Sequence, residues 1–400
     1  MRILFVNSDN IRVFDKLDSG AAMRTHLFIK ALAQLGHVDL ISFSNEDLVS
    51  NIEGCDVINA GQYIKTAEGE KKRSIRGKAW LDMLFKPSDP YTYFHRNRVK
   101  EQYIDRFIHN HDYDFIACRY IDIAVSYGLI KYSEKLIIDV DDNPINVCMV
   151  RDDLFTYKSI IKRWKNALRG RLIGRAVEDI LGKSFCSFYS SPLEPPSPKS
   201  VLLYNTVASV EKIPDITDST TGRLLFIGGL DYPPNKQGIK HFATNVFPSV
   251  KLRFPNAELI IVGKSTDDLF IEELDSIGGV KMLGFVDDIA KEYEESRVVV
   301  IPVYHGSGTS VKFIEAIMMN RPIVSTPTGA RGFEHICHDG EHFLLAKDDK
   351  EFADRVIDLL SSPNKSLYLA HNALEAGERH FSQYGFRKIV RDTVLGQSYQ

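Results

Sequence analysis

Residues 305–317, HGSGTSVKFIEAI, set two glycines and three small hydroxyl residues ahead of a lysine and a glutamate. That order suits anion chemistry. Gly306 and Gly308, with Ser307 between them, admit backbone conformations and close approaches that a Cβ would block, and Thr309 or Ser310 is placed to cap a helix. The free N–H groups of that helix's first turn, at the positive end of its dipole, can take a phosphate or diphosphate. Lys312 falls in the first turn, where a cation opposes the dipole, and an anion alongside would account for it. Glu315 is flanked by Phe313, Ile314, Ala316 and Ile317, so its carboxylate is partly desolvated and can accept two hydroxyl hydrogen bonds, as a ribose diol offers. The plainer alternative is an ordinary glycine turn followed by an exposed i, i+3 ion pair, worth at most about 0.5 kcal/mol.

A second group of charged residues gathers at strand ends in the first half. IIDVDDN, residues 137–143, places Asp139, Asp141 and Asp142 at the end of an expected strand, where they read equally as active-site carboxylates or as turn and capping residues. Gly20 lies in a small-residue loop after the first strand, with Arg24 one turn on as an available cation. Arg119 closes DFIACR in a comparable position, although an arginine there is by default a surface residue. His305 adjoins the glycine turn, but no spacing pairs it with a serine or cysteine nucleophile, so hydrolase chemistry has little support.

The elements that would hold these residues alternate. RILFVNS, VDLISFS, DVINA, DFIACRY, KLIIDVD and SFCSFYS are short apolar strands, and the segment RTHLFIKALAQLG between the first two has helical spacing ended by Gly36. A similar series follows: RLLFIGG, a helix over QGIKHFATNVFPSVKLRF, AELIIVG, VKMLGF, a helix over DIAKEYEESR, VVVIPV, the helix after the glycine turn, and PIVST. Alternation of this kind predicts α/β units with parallel sheets, whose ligands sit at the carboxyl ends of the strands.

Length and composition agree. Four hundred residues suit two domains, and Pro, Ser and Thr concentrate in SPLEPPSPKS and EKIPDITDSTTG, so the expected division is 1–212 and 213–400, with the last helix able to cross back. Apolar residues make up 44%, charged residues 26%, and the net charge of −3 argues against nucleic acid as a partner. No run approaches the roughly 18 apolar residues of a spanning helix, and no leader peptide is read at the N-terminus, which predicts a cytoplasmic protein. Five scattered cysteines without CxxC spacing fit reduced thiols and give no metal site. KKRSIRGKAW at 71–80 and the run from Lys158 to Arg175 are basic; the latter has seven basic and no acidic residues around Trp164, Leu168 and Ile173. The run reads either as a solvated helix face or as a peripheral contact with an anionic inner-membrane surface or a pyrophosphate-linked lipid.

From Leu224 to His380, the succession FIGGLDYPPNKQGIKHF, AELIIVG, LGFVDDI, VVVIPV, GSGTSVKFIEAI, RPIVSTPTGARG and EFADRVIDLL resembles the nucleotide-sugar glycosyltransferases with two Rossmann-like domains (GT-B), in particular family 4, group 1, in a GSGTxxK form of the turn. Single motifs are loose, but seven in register are specific; the N-terminal half is similar but more divergent. The resemblance implies two Rossmann-like domains facing across a cleft and retaining transfer of a sugar from a nucleotide diphosphate to an acceptor hydroxyl. It also implies no obligatory metal or other cofactor, a glycan or lipid-linked acceptor, and a place in bacterial polysaccharide or glycoconjugate biosynthesis. By position, Glu315 matches the second glutamate of the family's Glu, seven residues, Glu motif, which holds the ribose; eight places back stands Ser307, so the first glutamate is missing. The family's Gly-Arg-Leu reads Gly228, Gly229, Leu230, which removes an arginine that faces the diphosphate. Lys312 is taken as its replacement, with Lys236 and Lys264 as further cations, and Phe285 and Val286 match the loop that meets the base.

In the first half the resemblance puts Asp141 or Asp142 at the strand end facing donor sugar and acceptor, and Gly20 with Arg24 in a loop that touches phosphate or acceptor. Asn205 in LLYNT matches a hinge asparagine. An Asp-x-Asp metal site belongs to a single-domain glycosyltransferase scaffold that this chain does not match, and Asp142 acting as a base would permit inversion. Two rival readings are a non-catalytic sugar-nucleotide sensor or subunit, which the two departures favour, and a nucleotide-sugar epimerase or dehydrogenase, against which the missing GxGxxG after RILFVNS counts.

Overall fold

The computed structural model describes residues 1–7, 20–44, 48–61, 89–90, 94, 96–141, 160–193, 197–207, 222–306 and 309–396; within the helix that starts at residue 160, the side chains of 160–167 and 169 are outside that description. Asp142, Ser307, Gly308 and the basic segment 71–80 therefore lie outside the described residues.

The chain forms two compact units, Met1–Tyr204 with Phe386–Gln400, and Asn205–Gly385. The expected boundary at 212/213 lies outside the described residues. The final helix, Gln383–Val394, ends in the first unit, where Phe386, Ile389, Val390 and Val394 join the core formed by the strands Arg2–Val6 and His37–Ser42 and the helix Gly20–Ala33.

In the first unit β1 (Arg2–Val6), β2 (His37–Ser42), β3 (Cys55–Asn59), β4 (Phe115–Arg119), β5 (Leu136–Asp141), β6 (Cys186–Tyr189) and β7 (Ser200–Leu202) make one sheet in the order β3-β2-β1-β4-β5-β6-β7, every pair parallel. Ile3 and Phe5 pack on one face, while Leu4 and Val6 pack on the other. Burial on both faces is why these strands read as unbroken apolar runs rather than alternating ones.

The second unit has β8 (Arg223–Ile227), β9 (Glu258–Val262), β10 (Val280–Gly284), β11 (Val298–Ile301), β12 (Ile323–Ser325) and β13 (Leu344–Leu345) in the order β10-β9-β8-β11-β12-β13, again all parallel. In the first six strands of each unit the first and fourth are central neighbours, so the chain winds outward in both directions from β1/β4 and from β8/β11. At such a reversal the connections leave to opposite faces and open a crevice at the strands' carboxyl ends. β7 and β13 went unread in the sequence because two or three residues carry no periodicity. The single helix expected over 237–254 is instead Pro233–His241, a π turn at Phe242–Val246, and Phe247–Arg253, its start moved forward by the Pro-Pro pair that fits a first helical turn. Gly238 allows that helix onto the strand end, since a Cβ there would stand 1.9 Å from the Pro302 carbonyl oxygen.

Candidate donor site in the second unit

The β8/β11 reversal carries a pocket of about 300 Å³, lined among others by Ile227 and Gly228 at the end of β8, Val303, His305 and Gly306 after β11, Thr309 and Ser310 just before the next helix, and Lys312 and Glu315 within it. That helix, Val311–Met318, buries Phe313, Ile314, Ala316 and Ile317; the phenylalanine and the two isoleucines contribute about 1.5–3 kcal/mol each to holding it against the sheet, the alanine less. Phe313 stacks on Phe333 at 4.7 Å, and Gly377 of the helix Pro363–Phe381 makes room for Ile317, because a Cβ there would lie 2.7 Å from Ile317 Cγ2. The apolar face is thereby committed to the core, which leaves Lys312 and Glu315 on the face toward the pocket.

Ser310 is the N-cap residue, with extended backbone angles, yet its hydroxyl bonds none of the helix's free N–H groups. Its Oγ is buried against the pocket without a protein partner. The first-turn N–H groups expected to meet an anion are thus not consumed by a side-chain cap.

Lys312 and Glu315 do not pair with each other; each has its own holder. Lys312 Nζ donates to Asn235 Oδ1 at 2.9 Å and lies 5.7 Å from the centre of the Phe226 ring. Burial lowers its ammonium to about 8, against the opposing pull of Glu315. The buried Tyr293 hydroxyl donates to Glu315 Oε2 at 3.1 Å. Burial raises the Glu315 carboxylate above its ordinary range, with the Tyr293 hydrogen bond and Lys312 pulling it back down. Tyr293 is itself anchored: Arg321, fully buried, donates from Nε to the Tyr293 carbonyl at 2.6 Å. Arg321 reaches that carbonyl because the helix ends in a Schellman turn, with Asn320 at φ 54° and N–H bonds from Asn320 to the Ile317 carbonyl and from Arg321 to the Ala316 carbonyl, each 2.9 Å.

The glycines act through close approach. A Cβ on Gly228 would stand 2.8 Å from Asn235 Nδ2 and 3.2 Å from Lys312 Cε. Gly306, at φ 143°, takes a backbone conformation that side chains disfavour, and its carbonyl accepts from Arg331 Nη2 at 2.8 Å. Gly229 turns its carbonyl to Asn235 Nδ2 at 3.0 Å.

Other expected residues lie elsewhere. Lys236 bonds Asp267 at 2.6 Å and sits over the Phe270 ring, so its charge is spent. Lys264 is exposed and does not line the pocket, and neither do Phe285, which is 74% exposed, and Val286. Conversely Asn235, Tyr232, Thr328 and Arg331 line the pocket and Tyr293 supports it, although none was singled out from sequence. Asn235 could have been noticed, since it follows Pro-Pro at the helix start on the carboxyl side of β8; Tyr293 had no signal, being 22 residues from its partner.

In the first unit Arg24, Arg119, Asp139 and Asp141 do converge, at the ends of β4 and β5, but as a closed ion-pair cluster. Arg24 is 2% exposed, donates to Asp139 from Nε and Nη2 at 2.9 and 2.6 Å, and donates from Nη1 to the Leu203 carbonyl at 2.8 Å. Arg119, also 2% exposed, lies 3.0 Å from Asp139, bonds Asp141, and donates to Thr25 Oγ1 at 2.7 Å and to the Ala21 carbonyl near Gly20. Neither arginine is the free or surface cation the sequence suggested: two guanidiniums and two carboxylates neutralise one another in the interior. Asp141 keeps 17% of its side chain exposed and sits at φ 57°, with Tyr120 at φ 68° on the neighbouring strand end, strained conformations of roughly 1–3 kcal/mol each that the cluster holds in place. The four described cysteines, Cys55, Cys118, Cys186 and Cys337, are free and buried. Among the described residues no helix is long and apolar enough to cross a membrane.

Two parallel six- and seven-stranded sheets of matching strand order define an α/β protein of the two-Rossmann-unit, GT-B class. Residues 221–362, which contain the whole pocket, match the family glycosyl transferases group 1. Among curated proteins the chain is 26% identical over 178 residues to an uncharacterized 44.6 kDa protein in the cps region of Klebsiella pneumoniae, covering 42% of this chain and 45% of that one. It is 27% identical over 129 residues to phosphatidyl-myo-inositol mannosyltransferase of Mycolicibacterium smegmatis, covering 32% of each. The matches thus span less than half of these relatives. Solved structures align over nearly the full length: sucrose-phosphate synthase from Thermosynechococcus elongatus (15% identity, TM-score 0.65, 99% of this chain and 100% of that one) and HepE of Anabaena in complex with UDP and glucose (13%, TM-score 0.60, 99% and 100%). WaaG, a glycosyltransferase involved in lipopolysaccharide biosynthesis, aligns at 13% identity and TM-score 0.59, over 98% and 100% of the two chains.

Proposed function

We propose that the protein is a glycosyltransferase that moves a hexose from a nucleotide diphosphate sugar to an acceptor hydroxyl, with retention, in the assembly of a bacterial surface polysaccharide or glycoconjugate. The observation that carries this reading is the pairing of Lys312 with an uncapped helix start in a pocket at the β8/β11 reversal, inside the stretch that matches glycosyl transferases group 1. The diphosphate tail lies against the N–H groups of Val311 and Lys312, with the Ser310 hydroxyl and the Lys312 ammonium beside it. Negative charge grows on that diphosphate as the sugar–oxygen bond breaks, and donors already aimed at it lower the barrier without rearranging. Glu315, held by Tyr293, takes the ribose diol. The Gly20 loop and Asp141 of the first unit serve the acceptor, a glycan or lipid-linked sugar; no metal or other cofactor takes part, and the protein works on the cytoplasmic side of the inner membrane, touching its surface. HepE, whose structure holds UDP and glucose, and WaaG, which is involved in lipopolysaccharide biosynthesis, support this class of donor and product.

A sugar-nucleotide sensor is the second reading, favoured by one observation: where the family places an arginine, Gly229 contributes no side chain to the pocket. Purified protein incubated with UDP-, GDP- and dTDP-sugars separates the two. Release of nucleoside diphosphate, stimulated by a lipid-linked glycan and unchanged by EDTA, is the expected result. Saturable binding of a donor with no turnover for any acceptor makes it a sensor, and absence of nucleotide binding overturns both.

A further inference from the structure

The geometry points to Asn235 as a positioning residue: its neutral side-chain amide holds the Lys312 ammonium in the pocket while leaving the full positive charge available to a diphosphate. This rests on the donor-site reading above and adds a residue that sequence comparison did not single out. Asn235 is 7% exposed, and both ends of its amide are committed. Nδ2 donates to the Gly229 carbonyl at 3.0 Å, which fixes the amide's orientation and turns Oδ1 toward Lys312 Nζ at 2.9 Å. Its own backbone N–H is tied to the Tyr232 carbonyl at 3.0 Å in the first turn of the helix Pro233–His241. Gly228 keeps the space that brings the two side chains together, for a Cβ there would collide with the Asn235 amide at 2.8 Å and crowd Lys312 Cε at 3.2 Å.

The residue type matters as much as the place. An aspartate would reach Lys312 equally well, but it would neutralise the cation the anion needs and set a carboxylate oxygen against the Gly229 carbonyl. An alanine would leave a desolvated ammonium with no acceptor. Asparagine alone of these satisfies the carbonyl and the ammonium and adds no charge. The ionisable groups in and around the pocket are Glu315, Tyr232, Tyr293, His305 and Arg331; of these Glu315 is the one that acts on Lys312 through its charge.

The test uses the full chain, with binding of UDP, GDP and inorganic pyrophosphate measured by calorimetry from pH 6 to 10 and folding followed by thermal melting. Wild-type binding should weaken as pH rises through about 8, where Lys312 loses its proton. Asn235→Ala should weaken binding about tenfold near neutral pH and move that limb down by about one pH unit, since an acceptor for the charged form is lost. Asn235→Asp should also weaken binding about tenfold yet move the limb up by about one unit, because a carboxylate favours the ammonium. Opposite shifts in two folded variants cannot come from loose packing. Asn235→Ser, which keeps a shorter acceptor, replaces the alanine variant if that one does not fold, with the same downward shift expected. Binding that disappears in Lys312→Ala but keeps its strength and its pH limb in the Asn235 variants overturns this inference alone. Failure of the wild-type chain to bind any of the three probes overturns the donor site itself, and this inference with it.

Discussion

Tyr293 and Glu315 stand 22 residues apart and meet hydroxyl to carboxylate at 3.1 Å, the tyrosine buried under the helix that carries the glutamate. Tyr293 thus holds one carboxylate oxygen of a glutamate that lines the pocket.

We predict that Tyr293→Phe weakens UDP and GDP binding about tenfold, the loss of one hydrogen bond to a charged group, while inorganic pyrophosphate binds as before. Equal losses for nucleotide and pyrophosphate, read by calorimetry, would show that Glu315 does not serve the ribose.

Lys312→Ala should raise the dissociation constant of a nucleoside diphosphate by about tenfold or more, and that of the nucleoside alone hardly at all. In the wild type the ammonium is depressed to about 8, so its contribution is complete below that pH and fades as pH rises through it. A bound diphosphate stabilises the charged form and carries the midpoint upward. Affinity for diphosphate that is flat from pH 6 to 10 would contradict the assignment.

Asp139→Asn should destabilise the first unit by about 3–5 kcal/mol, because Asp139 is the carboxylate shared by two buried guanidiniums that would be left facing each other. Urea denaturation measures it. A loss below about 1 kcal/mol, the size of an exposed pair, would mean that water reaches the cluster.

A second ionic knot sets an acid limit. Glu101 is held by Arg96 at 2.6 and 2.8 Å and by Lys131; the Arg96 hydrogen bonds bring its carboxyl down to about 2 from 4.5, against the opposing effect of burial. A depressed carboxyl stabilises the fold above its ordinary value, and that stability is lost as pH falls from about 4.5 toward 2. Glu101→Gln should therefore be less stable than wild type near neutral pH and flatter between those two values in a pH-dependent melting series. A wild-type curve already flat there would refute it.

The α/β class, the doubled strand series and the residues around Gly306 were legible because they are local: β11 is four buried residues, VVVI, and the helix after the turn spaces its apolar face every three or four positions. Such periodicities are set by the 2.0 and 3.6 repeats of strand and helix and survive in one dimension. What each charged side chain faces is not written there. Arg24, in the first turns of a helix, and Arg119, at a strand end, had the residue type and the address of phosphate-binding cations, and tertiary packing instead closed them around Asp139 from 115 and 20 positions away. Lys312 had the same credentials and kept its charge for the pocket, because the partner that came to it, from 77 positions away, was the neutral amide of Asn235. Charge compensation acts through space within a few ångströms, so only the folded chain could decide which of these cations meet a carboxylate and which a neutral amide.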